Sequence, residues 1–201
     1  MTQHPAENCL KQGDILFTSI PNFLYRRVAQ TTGSLTSHVG IAFYDQHIGW
    51  LVAESAVPTV RYVTLANFVS RSDNDWLVVR RMGDGLSSNQ IESLRKECDS
   101  RMGKLYHLGF HFLSSRQFCS KFVYETYLNA LGVEIGTLES FEALLTSQPK
   151  TPLWFWRLWF MGRIPWSRIT VTPASQLRSE RLETVWESPN PPSLKNRNNI
   201  N

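Results

Sequence analysis

Ser37-His38-Val39-Gly40-Ile41-Ala42-Phe43-Tyr44 is the stretch on which the fold turns. Val39, Ile41 and Phe43 alternate with smaller residues, the period-two pattern of a strand with one apolar face. Asp45-Gln46-His47-Ile48-Gly49 then supplies turn chemistry, and Trp50-Leu51-Val52-Ala53-Glu54-Ser55 reads as a second strand, so the two are expected to pair as a hairpin. Upstream, Gly13-Asp14 opens a short strand, Ile15-Leu16-Phe17. Residues 21–31 read as a helix with Pro21 in its first turn. Downstream, Val57 to Thr64 and Trp76 to Arg81 give two more strands.

Beyond Gly83-Asp84-Gly85 the periodicity changes. Ser87 and Gln90 have the spacing of a capping box, which predicts a helix running to about Met102 and ended by Gly103. Residues 104–117 read as an aromatic-rich loop. From Cys119 onward Phe122, Val123, Tyr127, Ala130 and Leu131 share a helical face until Gly132. A shorter helix is expected over 138–147. Strands in the first half and a cysteine-bearing helix in the second predict an α+β domain over 1–186. Residues 187–201, rich in Pro, Asn and basic side chains without periodicity, are expected to be a disordered tail.

Composition narrows the function classes. Of the 201 residues 42% are apolar and 19% charged, enough for a core and a soluble surface. The net charge of +4 is mild and scattered, which argues against nucleic acid as a partner. Cys9, Cys98 and Cys119 form an odd, widely spaced set rather than a disulfide framework, which fits a reducing compartment. The first residues lack a basic and then apolar leader, and no apolar run has the length of a membrane span. The expected location is the cytoplasm, or the periphery of the inner membrane.

Three residues make a chemically complete set. Cys119 stands where loop becomes helix, and a helix N-terminus offers free N–H groups and a positive dipole end that favour a thiolate and can hold an oxyanion. Cys9, near the chain start, and Cys98, among Arg95, Lys96, Glu97 and Asp99, have no such setting. His38 heads a strand, where an imidazole can face a cleft and shuttle a proton. Glu54 interrupts an apolar strand and, if that strand pairs with the one headed by His38, can fix the imidazole tautomer. Each has a plainer reading: a buried core cysteine, a hydrogen-bonded surface histidine, a solvent-facing carboxylate.

Taken together, Gly13-Asp14-Ile15, His38-Val39-Gly40-Ile41 and Cys119-Ser120 resemble the motifs of NlpC-type, papain-fold cysteine hydrolases. In the standard branch the Cys motif comes first. Here it comes last, the order of the circularly permuted YiiX/YebB-like branch, distantly related to lecithin retinol acyltransferase. The similarity runs from about Gly13 to Pro173 and includes Ser114 to Val123 and Ile164-Pro165-Trp166. It implies a permuted papain-like fold with the nucleophile Cys119 on a helix packed against an antiparallel sheet, His38 as base and Glu54 as third member. Gly103-Lys104-Leu105-Tyr106 matches a Gly-x-x-Tyr element, which makes Tyr106 a cleft-lining, substrate-binding residue, although Leu105 and His107 depart from the family's Pro and Asp. The implied reaction is hydrolysis of an amide or ester bond through a thioester, on an acyl, peptide or lipid-like substrate and without a cofactor. An amine or alcohol acceptor would turn it into acyl transfer.

Two rival readings and a third remain beside this one. His107 and His111 are four apart and, with Cys119, form a candidate zinc set, but without the Glu of the zincin pattern. Residues 153–166 hold four of the seven Trp with interspersed Arg, which suits contact with a membrane surface or a wall of the core. A catalytically silent ligand-binding module is the third.

Overall fold

The computed structural model describes residues 4–148 and 151–192. Its centre is a six-stranded antiparallel sheet. In chain order the first five strands are β1 (Ile15–Thr18), β2 (His38–Asp45), β3 (Gly49–Ser55), β4 (Val60–Thr64) and β5 (Leu77–Arg81), and β8 (Glu183–Glu187) closes the sheet. Their spatial order is β4-β3-β2-β1-β5-β8. The hairpin expected from the Asp45–Gly49 turn is present, with Gly40 opposite Glu54 and Asp45 opposite Gly49.

Both faces of the sheet are covered, so β2 is buried from His38 to Phe43 rather than on one face only. Ile15, Phe17, Val39, Ile41 and Ala53 face a core shared with α3 (Ser88–Asp99) and α4 (Cys119–Leu131). Leu16, Ala42 and Val52 face a second core against Leu65 and Phe68 of α2 (Leu65–Val69). The small residues of β2 fall on that second face because α2 lies close. A Cβ on Gly40 would stand 2.5 Å from Val52 Cγ1, 2.9 Å from the Ala53 carbonyl oxygen and 3.2 Å from the Phe68 ring. The glycine of His-Val-Gly is thus a packing requirement of the strand beside the site.

At the entry of β1, Gly13 has φ +84°, which allows the turn, and the buried Asp14 takes two hydrogen bonds from Arg81, at 2.7 and 2.8 Å. The Ser87–Gln90 capping box is present at the start of α3. That helix ends at Asp99, before the expected Met102, and turns carry the chain to Gly103 at φ +78°. The first helix, α1 (Phe23–Thr31), is capped by Asn22, whose side chain accepts from Leu24 N, so Pro21 lies outside it.

The second half adds short elements: β6 (Glu139–Ser140), α5 (Phe141–Thr146), α6 (Leu153–Trp159), β7 (Ile169–Thr170) and α7 (Pro173–Leu177). The expected helix over 138–147 is shortened because Ser140 caps α5 while pairing in β6. Strand β8 and helices α2 and α7 had no counterpart in the sequence reading. Residue 187, the expected start of the tail, falls within the described structure. Glu187 still belongs to β8, and Ser188 exchanges hydrogen bonds with Leu77, its N–H to the Leu77 carbonyl at 2.9 Å and its Oγ from the Leu77 N–H at 3.0 Å. The remainder of that tail from residue 193, and the first three residues of the chain, lie outside the described residues.

Candidate active site

Phe118 is the N-cap of α4, with extended backbone and no side-chain cap, and the first intrahelical bond runs from Phe122 N to Phe118 O at 2.9 Å. The N–H groups of the first turn therefore have no partner within the helix. Cys119 is the first helical residue and is 4% exposed. The turn is anchored on both sides. Ser120 Oγ donates to Val171 O at 2.8 Å, and Gln176 Nε2 donates to Ser120 O at 2.9 Å. Lys121, buried, donates from Nζ to the carbonyls of Ser114 and Arg116, holding the preceding loop.

The base and the carboxylate come from the sheet. Glu54 lies opposite Gly40, so His38 is its diagonal neighbour on the same face. His38 Nε2 and Glu54 Oε2 are 2.6 Å apart and both side chains are fully buried. That face is the α2 face, whereas α4 packs on the other. His38 is the first residue of β2 and so stands at the end of its strand. Its second nitrogen, Nδ1, has no hydrogen-bond partner among the described residues. The Cys119 thiol interacts with the ring. Tyr25 and Phe68 pack against the imidazole with centroids 5.6 Å away in each case.

Electrostatics follow from this packing. Burial alone would lower the His38 pKa, but Cys119 and then the hydrogen bond and charge of Glu54 outweigh it and raise the value to about 9. Burial would raise the Glu54 pKa, but His38 and Arg71 hold it down at about 2. The pair is thus imidazolium and carboxylate at neutral pH. Tyr106, 7% exposed, sits against both Cys119 and Tyr25, and burial pushes both tyrosine hydroxyls above their usual pKa.

The four residues singled out in the sequence, Cys119, His38, Glu54 and Tyr106, are therefore brought together. Two arginines were not foreseen. Arg71 Nη2 donates to Glu54 Oε2 at 2.7 Å, the same oxygen that His38 binds, and Arg61 Nε donates to Oε1 at 3.2 Å. Arg61 is the direct cross-strand partner of Glu54, a charge pair that the β3–β4 register would have exposed. Arg71 comes from the turn after α2 and Tyr25 from α1, with no local signal of the contact.

Arg71 has a checkable role. It draws the carboxylate oxygen that orients the imidazole, so Arg71→Ala is expected to lower kcat about tenfold, roughly the loss of one charge-assisted hydrogen bond. It should also move the acid limb of the pH–rate profile upward, since Glu54 then protonates more easily. Arg71→Lys should restore part of both. An unchanged acid limb in Arg71→Ala would mean that the arginine only fills space.

A thiol at a helix mouth, facing an imidazole and a carboxylate on adjacent antiparallel strands, is the arrangement of papain-like thiol hydrolases, here with the strands preceding the helix in the chain. The chain matches, over residues 9–186, the family described as permuted papain-like amidase enzyme, YaeF/YiiX, C92 family, and it belongs to that family. It is 27% identical over 173 residues to uncharacterized protein YiiX of Escherichia coli strain K12, covering 86% of this chain and 84% of that protein. Among solved structures, metalloprotein yiiX from Escherichia coli O157:H7 is similar with a TM-score of 0.79 and 26% identity, covering 89% of this chain and 97% of that one.

That relative is described as a metalloprotein. No group of three or more His, Cys, Asp or Glu side chains suited to a metal ion occurs among the described residues. The candidate zinc set is not assembled. His107 and His111 ring centroids are 6.4 Å apart, and His107 Nδ1 is occupied by the Gly109 N–H at 3.0 Å. The described residues do not fit a metal.

Proposed function

We propose that this chain is a cysteine hydrolase that cleaves an amide or ester bond by a thioester mechanism at Cys119, on a substrate with an apolar acyl group. The observation that carries the reading is the buried His38 ring, held by Glu54 at 2.6 Å on one nitrogen and left without a hydrogen bond on the other, beside the thiol.

The chemistry follows from the proton inventory. The sulfur attacks the acyl carbon as thiolate, the nucleophilic form of cysteine, with protonated His38 beside it. The carbonyl oxygen takes the negative charge, and the N–H groups of the first turn of α4, which have no partner within the helix, are its natural donors. The imidazolium then gives its proton to the leaving nitrogen or oxygen, and the C–N or C–O bond breaks. Water attacks the thioester with neutral His38 as base, which releases the acid and the free sulfur. An amine or alcohol in place of water would complete an acyl transfer.

The acyl group is chosen by what surrounds the sulfur. Cys119 opens on a narrow pocket of about 30 Å³. Leu24, Val28, Phe110, Phe141 and Trp156 give it apolar walls, and Tyr106 and Tyr25 stand at the thiol end. Such walls favour hydrocarbon over a charged peptide side chain. The three cysteines are unpaired, and no helix among the described residues is long and apolar enough to cross a membrane. We place the enzyme in the reducing cytoplasm on the strength of those thiols.

A small haloacetamide probe, read by mass spectrometry, tests the nucleophile. Cys119 is expected to label at least about tenfold faster than Cys9 or Cys98. Cys98 is fully buried and burial raises its pKa, while burial and the nearby Asp14 raise that of Cys9. Labelling of Cys9 at an equal or greater rate would remove the reading.

A further inference from the structure

Helix α6 has two faces with opposite fates. Phe155 and Trp156 are 2% exposed, and Trp156 lines the acyl pocket while its Nε1 donates to Thr31 Oγ1 at 2.8 Å. On the other side Trp154 and Leu158 stand at i and i+4 and are 58 and 73% exposed, and Met161, in the turn after the helix, is 94% exposed. The stripe continues onto α1, where Phe23 is 47% exposed and Arg27 lies over both the Phe23 and Trp154 rings, at 5.1 and 5.2 Å. Apolar side chains of this size gathered on one outer face mark an interaction site.

The charges beside the stripe choose the partner. Residues 151–168 contain Arg157, Arg163 and Arg168 and no Asp or Glu. Arg157 and Arg163 are exposed, and neither forms an ion pair among the described residues. Two copies of the chain meeting through this face would bring like charges together with no carboxylate in the segment to answer them. A surface that is apolar, aromatic and cationic complements an anionic lipid leaflet, in which Trp sits at the interface and Arg meets headgroup phosphate.

We propose that the outer face of α6, with Phe23, docks the protein onto an anionic membrane surface, so that the acyl substrate is taken from the bilayer rather than from solution. The docking stands on the surface residues alone; the statement about substrate rests on the hydrolase reading. One helix then does both jobs, its outer stripe in the lipid interface and its inner Trp156 against the pocket.

The test is co-sedimentation of the full chain with vesicles of phosphatidylcholine alone and of phosphatidylcholine mixed with phosphatidylglycerol. Binding is expected to the anionic vesicles and to weaken with salt. The double variant Trp154→Ser/Leu158→Ser should reduce partitioning by about tenfold or more. Arg157→Glu/Arg163→Glu should reduce it by a comparable factor on anionic vesicles only. Haloacetamide labelling of Cys119 in each variant separates this proposal from the hydrolase reading. Vesicle binding that fails while labelling persists overturns the docking alone, and labelling that fails in the wild type overturns the hydrolase alone. Absence of vesicle binding, binding indifferent to both double variants, or a dimer in solution that Trp154→Ser/Leu158→Ser dissolves would each overturn the docking.

Discussion

Replacing His38 with alanine is expected to cut kcat on the order of 10⁴-fold, with a much smaller change in KM. The expectation rests on how little else is available to move a proton at this sulfur. Tyr106 and Tyr25 stand beside Cys119, and burial raises the pKa of both, so neither exchanges protons readily near neutral pH. Without the imidazole the attacking thiolate loses its counter-charge and the leaving group loses its acid. The wild-type rate should fall as pH rises through about 9, where the ring gives up the proton that the leaving group needs. The variant should lack that basic limb. The side chain is packed against Tyr25 and Phe68, so its removal also leaves a cavity, worth about 1–3 kcal/mol of stability. Thermal unfolding of the variant separates the two effects. A folded variant that keeps even a tenth of wild-type kcat on a small apolar ester would show that His38 is not the proton carrier.

Much of the site could be read from the chain because each member carries a local signature. Cys119 is marked by the switch from loop to helical periodicity, His38 by its place at the head of an alternating run, and Glu54 by being a charge in an apolar one. The Asp45–Gly49 turn then sets the register that makes His38 and Glu54 diagonal neighbours. What escaped was set by tertiary packing. Arg71 follows a five-residue helix, Leu65–Val69, too short to carry a periodicity of its own after the strand that ends at Thr64. Strand β8 pairs with β5 across about a hundred residues, and its five residues, Glu-Thr-Val-Trp-Glu, carry too little alternation to stand out. The burial of β2 on both faces was masked by Gly40 and Ala42, which look like the polar side of a half-buried strand only because they are small. The Trp-rich segment was ambiguous for a different reason. Its aromatics serve the core and the surface at once, and periodicity alone does not separate an inward Trp156 from an outward Trp154.

Replacing Glu54 is expected to have the largest effect on stability, about 3 kcal/mol for Glu54→Gln near pH 6. The magnitude is set at the lower end for a broken buried pair by what the three partners can do afterwards. Arg71 and Arg61 are 31 and 36% exposed and can turn to water, whereas His38 is fully buried and can only shed its proton. The pH dependence gives the sign. In the wild type the His38 pKa is raised from 6.5 to about 9, so its contribution is complete below pH 6.5 and is lost as pH rises through 9. The Glu54 pKa is lowered from 4.5 to about 2, so its contribution is complete above pH 4.5 and is lost as pH falls through 2. Both contributions describe one pair, and stability should therefore peak between about pH 4.5 and 6.5. In Glu54→Gln burial of the ring meets less opposition, the imidazole titrates lower, and the decline from pH 6.5 to 9 should flatten. Urea unfolding of both proteins across pH 4 to 9 measures it. If the two stability curves run parallel through that alkaline range, the carboxylate is not what holds the proton on His38, and the raised pKa of the ring must come from the thiol beside it.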